Sequence, residues 1–103
     1  MTEHVIGPIS RIPKGEGRNF MVAEQLIAVF QTRDGQVFAT QAECPHRGGP
    51  LADGLTDANV IVCPLHDRAF SFATGAGIGN ACVITLYPVR VAEDGQIVVT
   101  VPA

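Results

Sequence analysis

Cys44-Pro45-His46-Arg47-Gly48-Gly49-Pro50-Leu51 and Cys63-Pro64-Leu65-His66 decide how this chain is read. Each segment sets one thiol and one imidazole beside a proline. Sixteen residues, Arg47 to Val62, separate His46 from Cys63. A Cys-x-His paired with a Cys-x-x-His offers two thiolates and two imidazoles. That donor set suits a [2Fe–2S] cluster with thiolates on one iron and imidazoles on the other. Cys44 and Cys63 are the candidate thiolates, and His46 and His66 the candidate imidazoles. Neutral imidazoles leave the site less negative than four thiolates would. The reduced state is then less penalised, and the potential lies above that of an all-cysteine plant-type ferredoxin.

A Cys₂His₂ zinc site is the main competing reading. Zinc fingers usually pair Cys with Cys and His with His, as Cys-x₂₋₄-Cys and His-x₃₋₅-His. Here each Cys is paired with a His, so the order favours iron–sulfur. A cysteine hydrolase fits less well, because no third acid stands beside either His in a triad pattern. Pro45 and Pro64 stiffen the chain just after each thiol. Gly48-Gly49-Pro50 permits a tight turn with backbone N–H groups turned toward sulfur. Both histidines fall at loop tips, where an imidazole edge near solvent serves as an electron exit.

The remaining sequence describes a mount for these loops. The 103 residues suffice for one domain, 1–103, and not for two. Apolar residues make up 47% and charged residues 17%, which argues for a folded core and against disorder. The net charge of −3 and the absence of a Lys/Arg cluster argue against a nucleic-acid partner. Met1-Thr2-Glu3-His4 carries neither a basic nor an apolar leader, and no apolar run is long enough to span a bilayer. A cytoplasmic chain with no membrane partner is expected. Three cysteines do not pair evenly, which fits metal binding better than a disulfide framework.

Gly and Pro bound short runs rich in Val, Ile and Phe. Strands are predicted over Leu26 to Gln31 and Val37 to Thr40 around Asp34-Gly35, which makes a hairpin. Further strands are predicted over Asn59 to Cys63 and Ala69 to Phe72. Thr85 to Val91 and Ile97 to Val101 flank Asp94-Gly95 as a second hairpin. Weaker signals mark His4 to Gly7 and Phe20 to Val22. No sustained 3.6-residue period appears, so helix is limited to a short turn near Ala52. The expected fold is an all-β antiparallel sandwich or small barrel. A cluster-binding subdomain at about residues 40–79 is inserted in it.

At these residues the chain resembles the Rieske ferredoxin-type domains. The likeness runs through Cys44 to Leu51, Gly54, Cys63 to His66, Phe70, Ala73-Thr74-Gly75 and Tyr87-Pro88-Val89-Arg90-Val91. Within that superfamily it is most similar to the small subunit of assimilatory NAD(P)H-dependent nitrite reductase. Gly7-Pro8-Ile9, Ile12-Pro13-Lys14-Gly15-Glu16-Gly17 and Ile27-Ala28-Val29-Phe30 carry that part, together with Tyr87 to Val91. The resemblance implies one [2Fe–2S] cluster and an electron-transfer role with no catalytic site of its own. It also implies a larger partner subunit with flavin, a further iron–sulfur cluster and sirohaem. The alternative is a free ferredoxin between a flavin reductase and a ring-hydroxylating oxygenase. A third reading is a subunit whose redox activity is incidental.

The resemblance also bears on potential. High-potential respiratory relatives carry a disulfide between the ligand loops, and Gly49 and Leu65 occupy those positions here. Arg68 and Phe70 stand where that type places serine and tyrosine hydroxyls near sulfur. Fewer such hydrogen bonds imply a midpoint below about 0 mV, within a Rieske range of about −150 to +300 mV. Two departures stand out: Asp67 follows His66, and Ala76 to Ala81 lacks a covering proline. Asp67 suits a further lowering of the potential or a docking face, and an ordinary solvated loop acid equally. Arg47 and Arg68 suit partner docking, an offset to cluster charge or surface pairing. Cys82 has no ligand-spaced partner and reads as a buried residue, and His4 as a surface residue.

Overall fold

The computed structural model describes residues 2–45, 50–57, 59–63, 68–79 and 82–102. Ile27-Ala28-Val29-Phe30 explains the architecture. A half-buried strand alternates apolar and polar residues, whereas this run is apolar throughout. Such a run needs cover on both faces. It lies in β3 (Gln25–Gln31), which pairs antiparallel with β2 (Glu16–Val22) and β4 (Val37–Gln41). Ile27, Val29 and their neighbours Val22 and Ala39 pack with Ile12, Ile97, Val99 and Val101 on one side. Ala28 and Phe30 pack with Leu51, Ile61, Phe70, Phe72 and Ile84 on the other.

Three antiparallel sheets result. The chain ends build the first: β1 (Thr2–Pro8), β11 (Gln96–Val101) and β10 (Val89–Val91), in the order β1-β11-β10. The second is β2-β3-β4-β9, where β9 is Leu86–Tyr87. The third comprises β5 (Leu55–Asp57), β6 (Val60–Val62), β7 (Ala69–Ser71) and β8 (Gly77–Ile78), in sequence order. Two 3₁₀ turns, Ile9–Arg11 and Leu51–Asp53, are the only helical elements among the described residues. The second is the turn expected near Ala52. The fold is therefore all-β and antiparallel, as expected. No helix among the described residues is long and apolar enough to cross a membrane.

Several boundaries differ from expectation for physical reasons. Thr85 to Val91 is not one strand. Pro88 has no N–H for a ladder, and the run divides there. Leu86–Tyr87 pairs with β4, while Val89–Val91 pairs with β11 in another sheet. The hairpin around Asp94-Gly95 therefore involves only β10. The β2–β3 hairpin was not legible as a turn. Ala23 and Glu24 take positive φ angles of 49° and 67° without the Asn-Gly or Asp-Gly signal such turns favour. Leu55–Asp57 and Gly77–Ile78 are too short to stand out by periodicity.

Candidate metal centre

Cys44 and Cys63 come together through the packing of the third sheet on the second. Cys44 follows the end of β4, and Cys63 follows the end of β6. Both thiol-bearing residues are buried, at 3% and 0% exposure, within the cluster of Phe30, Leu51, Ile61, Phe70, Phe72 and Ile84. Phe72 stacks on Phe38 at 4.6 Å between centroids and tilts against Phe30 at 5.1 Å. These rings fix the apolar floor beneath the two cysteines. A glycine or serine there would leave a void; aromatic bulk holds the two elements apart at a set spacing.

Each candidate ligand segment is closed at its base by backbone hydrogen bonds. In the first, Leu51 N–H donates to Ala42 O at 3.0 Å, and Glu43 bridges Pro50. In the second, Cys63 N–H donates to Arg68 O at 2.7 Å. A third segment is closed alongside: Gly77 N–H donates to Cys82 O and Ile84 N–H to Gly75 O, both at 2.8 Å, and Ala76 bridges Val83. Sequence reasoning overlooked this third closure, whose clearest signal is Gly75 at a φ of +79°. Cys82 is half-buried and packs against the same apolar cluster, rather than being simply buried as expected.

His46 and His66 lie outside the described residues, as do Arg47, Gly48, Gly49, Pro64, Leu65 and Asp67. His4 lies in the first sheet, opposite Val99, and its Nε2 is 2.9 Å from Thr2 Oγ1. It has no part in the ligand segments.

Two observations test whether this region suits an iron–sulfur group. The described donors, Cys44 and Cys63, are buried in one apolar cluster, and cysteine sulfur is the ligand that iron–sulfur groups take. Arg68 accepts the Cys63 backbone N–H, and its Nε is buried and has no hydrogen-bond partner among the described residues. A buried donor without an acceptor is costly, so an electron-rich group beside it is chemically fitting. The cysteine half of the donor set thus fits such a cluster.

Comparison with known proteins agrees. A family model described as the Rieske [2Fe-2S] domain matches residues 2–99. The chain is 30% identical over 100 residues to the ferredoxin component of a naphthalene 1,2-dioxygenase system from Pseudomonas aeruginosa, covering 93% of each. Among solved structures, Sphingomonas yanoikuyae B1 ferredoxin superposes with a TM-score of 0.84 at 31% identity, covering 98% of this chain and 100% of that one. A Mycobacterium tuberculosis protein assigned as an NADH-dependent nitrite reductase small subunit superposes with a TM-score of 0.90. It is 22% identical, with 99% and 96% of the chains covered. That last likeness is one of fold.

Proposed function

The chain belongs to the Rieske [2Fe-2S] domain family, and from that premise we propose that it relays single electrons to a separate, larger redox enzyme through a cluster held by Cys44, His46, Cys63 and His66. The family carries a Rieske-type [2Fe–2S] cluster, which takes up and releases one electron when bound. Residues 1–103 act as a single domain, with about 40–79 as the cluster-binding part. The observation that carries the reading is the burial of Cys44 and Cys63 in one apolar cluster at the bases of two closed segments. Cys44 and Cys63 hold one iron away from water, and His46 and His66 hold the other.

The enzyme served is a nitrite reductase in the leading reading, with this chain as its small subunit in the cytoplasm. Three scaffold segments support it: Ile12 to Gly17, Ile27 to Phe30 and Tyr87 to Val91. A free ferredoxin serving a ring-hydroxylating oxygenase is the second reading. The 30% identity to a naphthalene dioxygenase ferredoxin component, over nearly the full length of both chains, favours it. Affinity capture from the native host separates them. A co-purifying partner with sirohaem absorption supports the first. Salt-sensitive, transient binding to a flavin reductase supports the second. Full activity of the captured partner with the Cys44→Ser chain would overturn the relay role.

A further inference from the structure

Two side-chain atoms are buried without a partner among the described residues: Thr56 Oγ1 and Arg68 Nε. Thr56 lines a cleft with Arg33, Asp34 and Asp57, and its orphan is a neutral hydroxyl. Arg68 differs. Its guanidinium is permanently charged, and an unpaired N–H on a cation is the costlier orphan.

Strand register places this side chain. Ile61 pairs with Phe70 and Val62 with Ala69. The 2.7 Å bond from Cys63 N–H to Arg68 O continues that pairing by one step. Arg68 is therefore directly across from Cys63. Side chains alternate along a strand, so Ile61, Cys63, Arg68 and Phe70 share one face. On that face Ile61, Cys63 and Phe70 are fully buried and Arg68 is half-buried with its Nε covered, while Val62 and Ala69 on the other face are half-buried. Directly opposed residues hold their Cβ atoms about 4.5–5.5 Å apart. The Arg68 stem thus starts beside the Cys63 thiol, and its Nε ends in the interior.

We propose that Arg68 is a potential-setting residue, whose buried Nε–H and fixed positive charge act on the cluster bound at Cys63 and favour its reduced form. This rests on the reading of Cys63 as a ligand. In the oxidised state, the charges of two ferric ions, two sulfides and two thiolates cancel. Reduction adds one electron and leaves one net negative charge. A nearby cation stabilises that charge, and an N–H donor to a cluster sulfur does so further. Position 68 lacks a hydroxyl, yet it supplies a charged donor in its place. Arg68 thereby offsets part of the lowering expected from the missing hydroxyls.

Redox titration of the cluster-loaded protein tests this with Arg68→Gln and Arg68→Lys. Arg68→Gln should make reduction about tenfold less favourable, a fall of about 59 mV for one electron. Arg68→Lys, which keeps the charge without the Nε donor, should recover part of that fall. An unchanged midpoint at unchanged iron content would overturn the proposal. Should Arg68→Gln fail to load, pulsed EPR on the reduced wild-type protein, labelled with ¹⁵N at arginine, gives a second reading. A weak arginine nitrogen coupling is expected, and its absence overturns the proposal. Loss of imidazole couplings in the same spectra would instead overturn the ligand assignment.

Discussion

The sheets built from the chain ends and the sheet that carries the second ligand segment are stabilised in different ways. β2 and β3 pair from Glu16–Gln31 to Val22–Gln25, and β1 pairs with β11 from Thr2–Val101 to Pro8–Gln96. The third sheet pairs over three, three and two positions. Strands in globular proteins are usually about five or six residues long, so the third sheet has few ladder bonds of its own. It compensates by burying Ile61 and Phe70 against Phe30 and Leu51. A bound cluster would add cross-links beside the three-position β6–β7 ladder, because ligand binding to the native state stabilises it. The scaffold needs no such help.

The largest expected effect separates the two regions outright. Cys63→Ser should abolish cluster loading, read as iron and sulfide content, while the scaffold sheets survive. Hydrogen exchange should then quicken at Ile61 and Phe70 and change little at Ile27 and Val29. Equal loss of protection in both regions would show that the two are one cooperative unit. Next in size, Phe70→Ala removes a fully buried ring and should cost about 3–5 kcal/mol in denaturant unfolding. A cost below 1 kcal/mol would mean that the third sheet is not packed as described. Gly54→Ala should cost about 1–3 kcal/mol, because the new Cβ would collide with the Val62 carbonyl oxygen, which is backbone. It should act on the third sheet before the scaffold.

The smallest effect lies in the scaffold hairpin. The Thr32 hydroxyl donates to the Asp34 carboxylate and holds its pKa below the ordinary 3.8. A lowered native value means a contribution present above the unfolded pKa and lost as pH falls through the native one. Thr32→Val should return Asp34 toward its ordinary value in an NMR titration, with the ligand segments untouched. An unmoved titration would assign the lowering to the Gln36 backbone instead.

This contrast also explains what the sequence disclosed. Two scaffold strands announce themselves: Leu26 to Gln31 and Ile97 to Val101 are mostly apolar and bounded by turn residues, whereas β1 and β2, each seven residues long, left only weak signals. The candidate site was legible in a different way, through the chemistry of Cys44, His46, Cys63 and His66 and not through periodicity. Features set by tertiary context were not legible. The Ala23–Glu24 turn adopts left-handed backbone that those residues rarely choose alone, so only strand pairing enforces it. The three-residue strands exist because their neighbours do. Arg68 read as a choice among docking, charge offset and surface pairing. Its place opposite Cys63, with the Nε buried, became visible only through the register.

The most direct test of the account is nitrogen ENDOR on the reduced purified protein, taken with iron and acid-labile sulfide analysis. Two irons and two sulfides per chain are expected, with two coupled imidazole nitrogens that fall to one in His46→Cys and in His66→Cys. Bound zinc, or a cluster with no imidazole coupling, would contradict it.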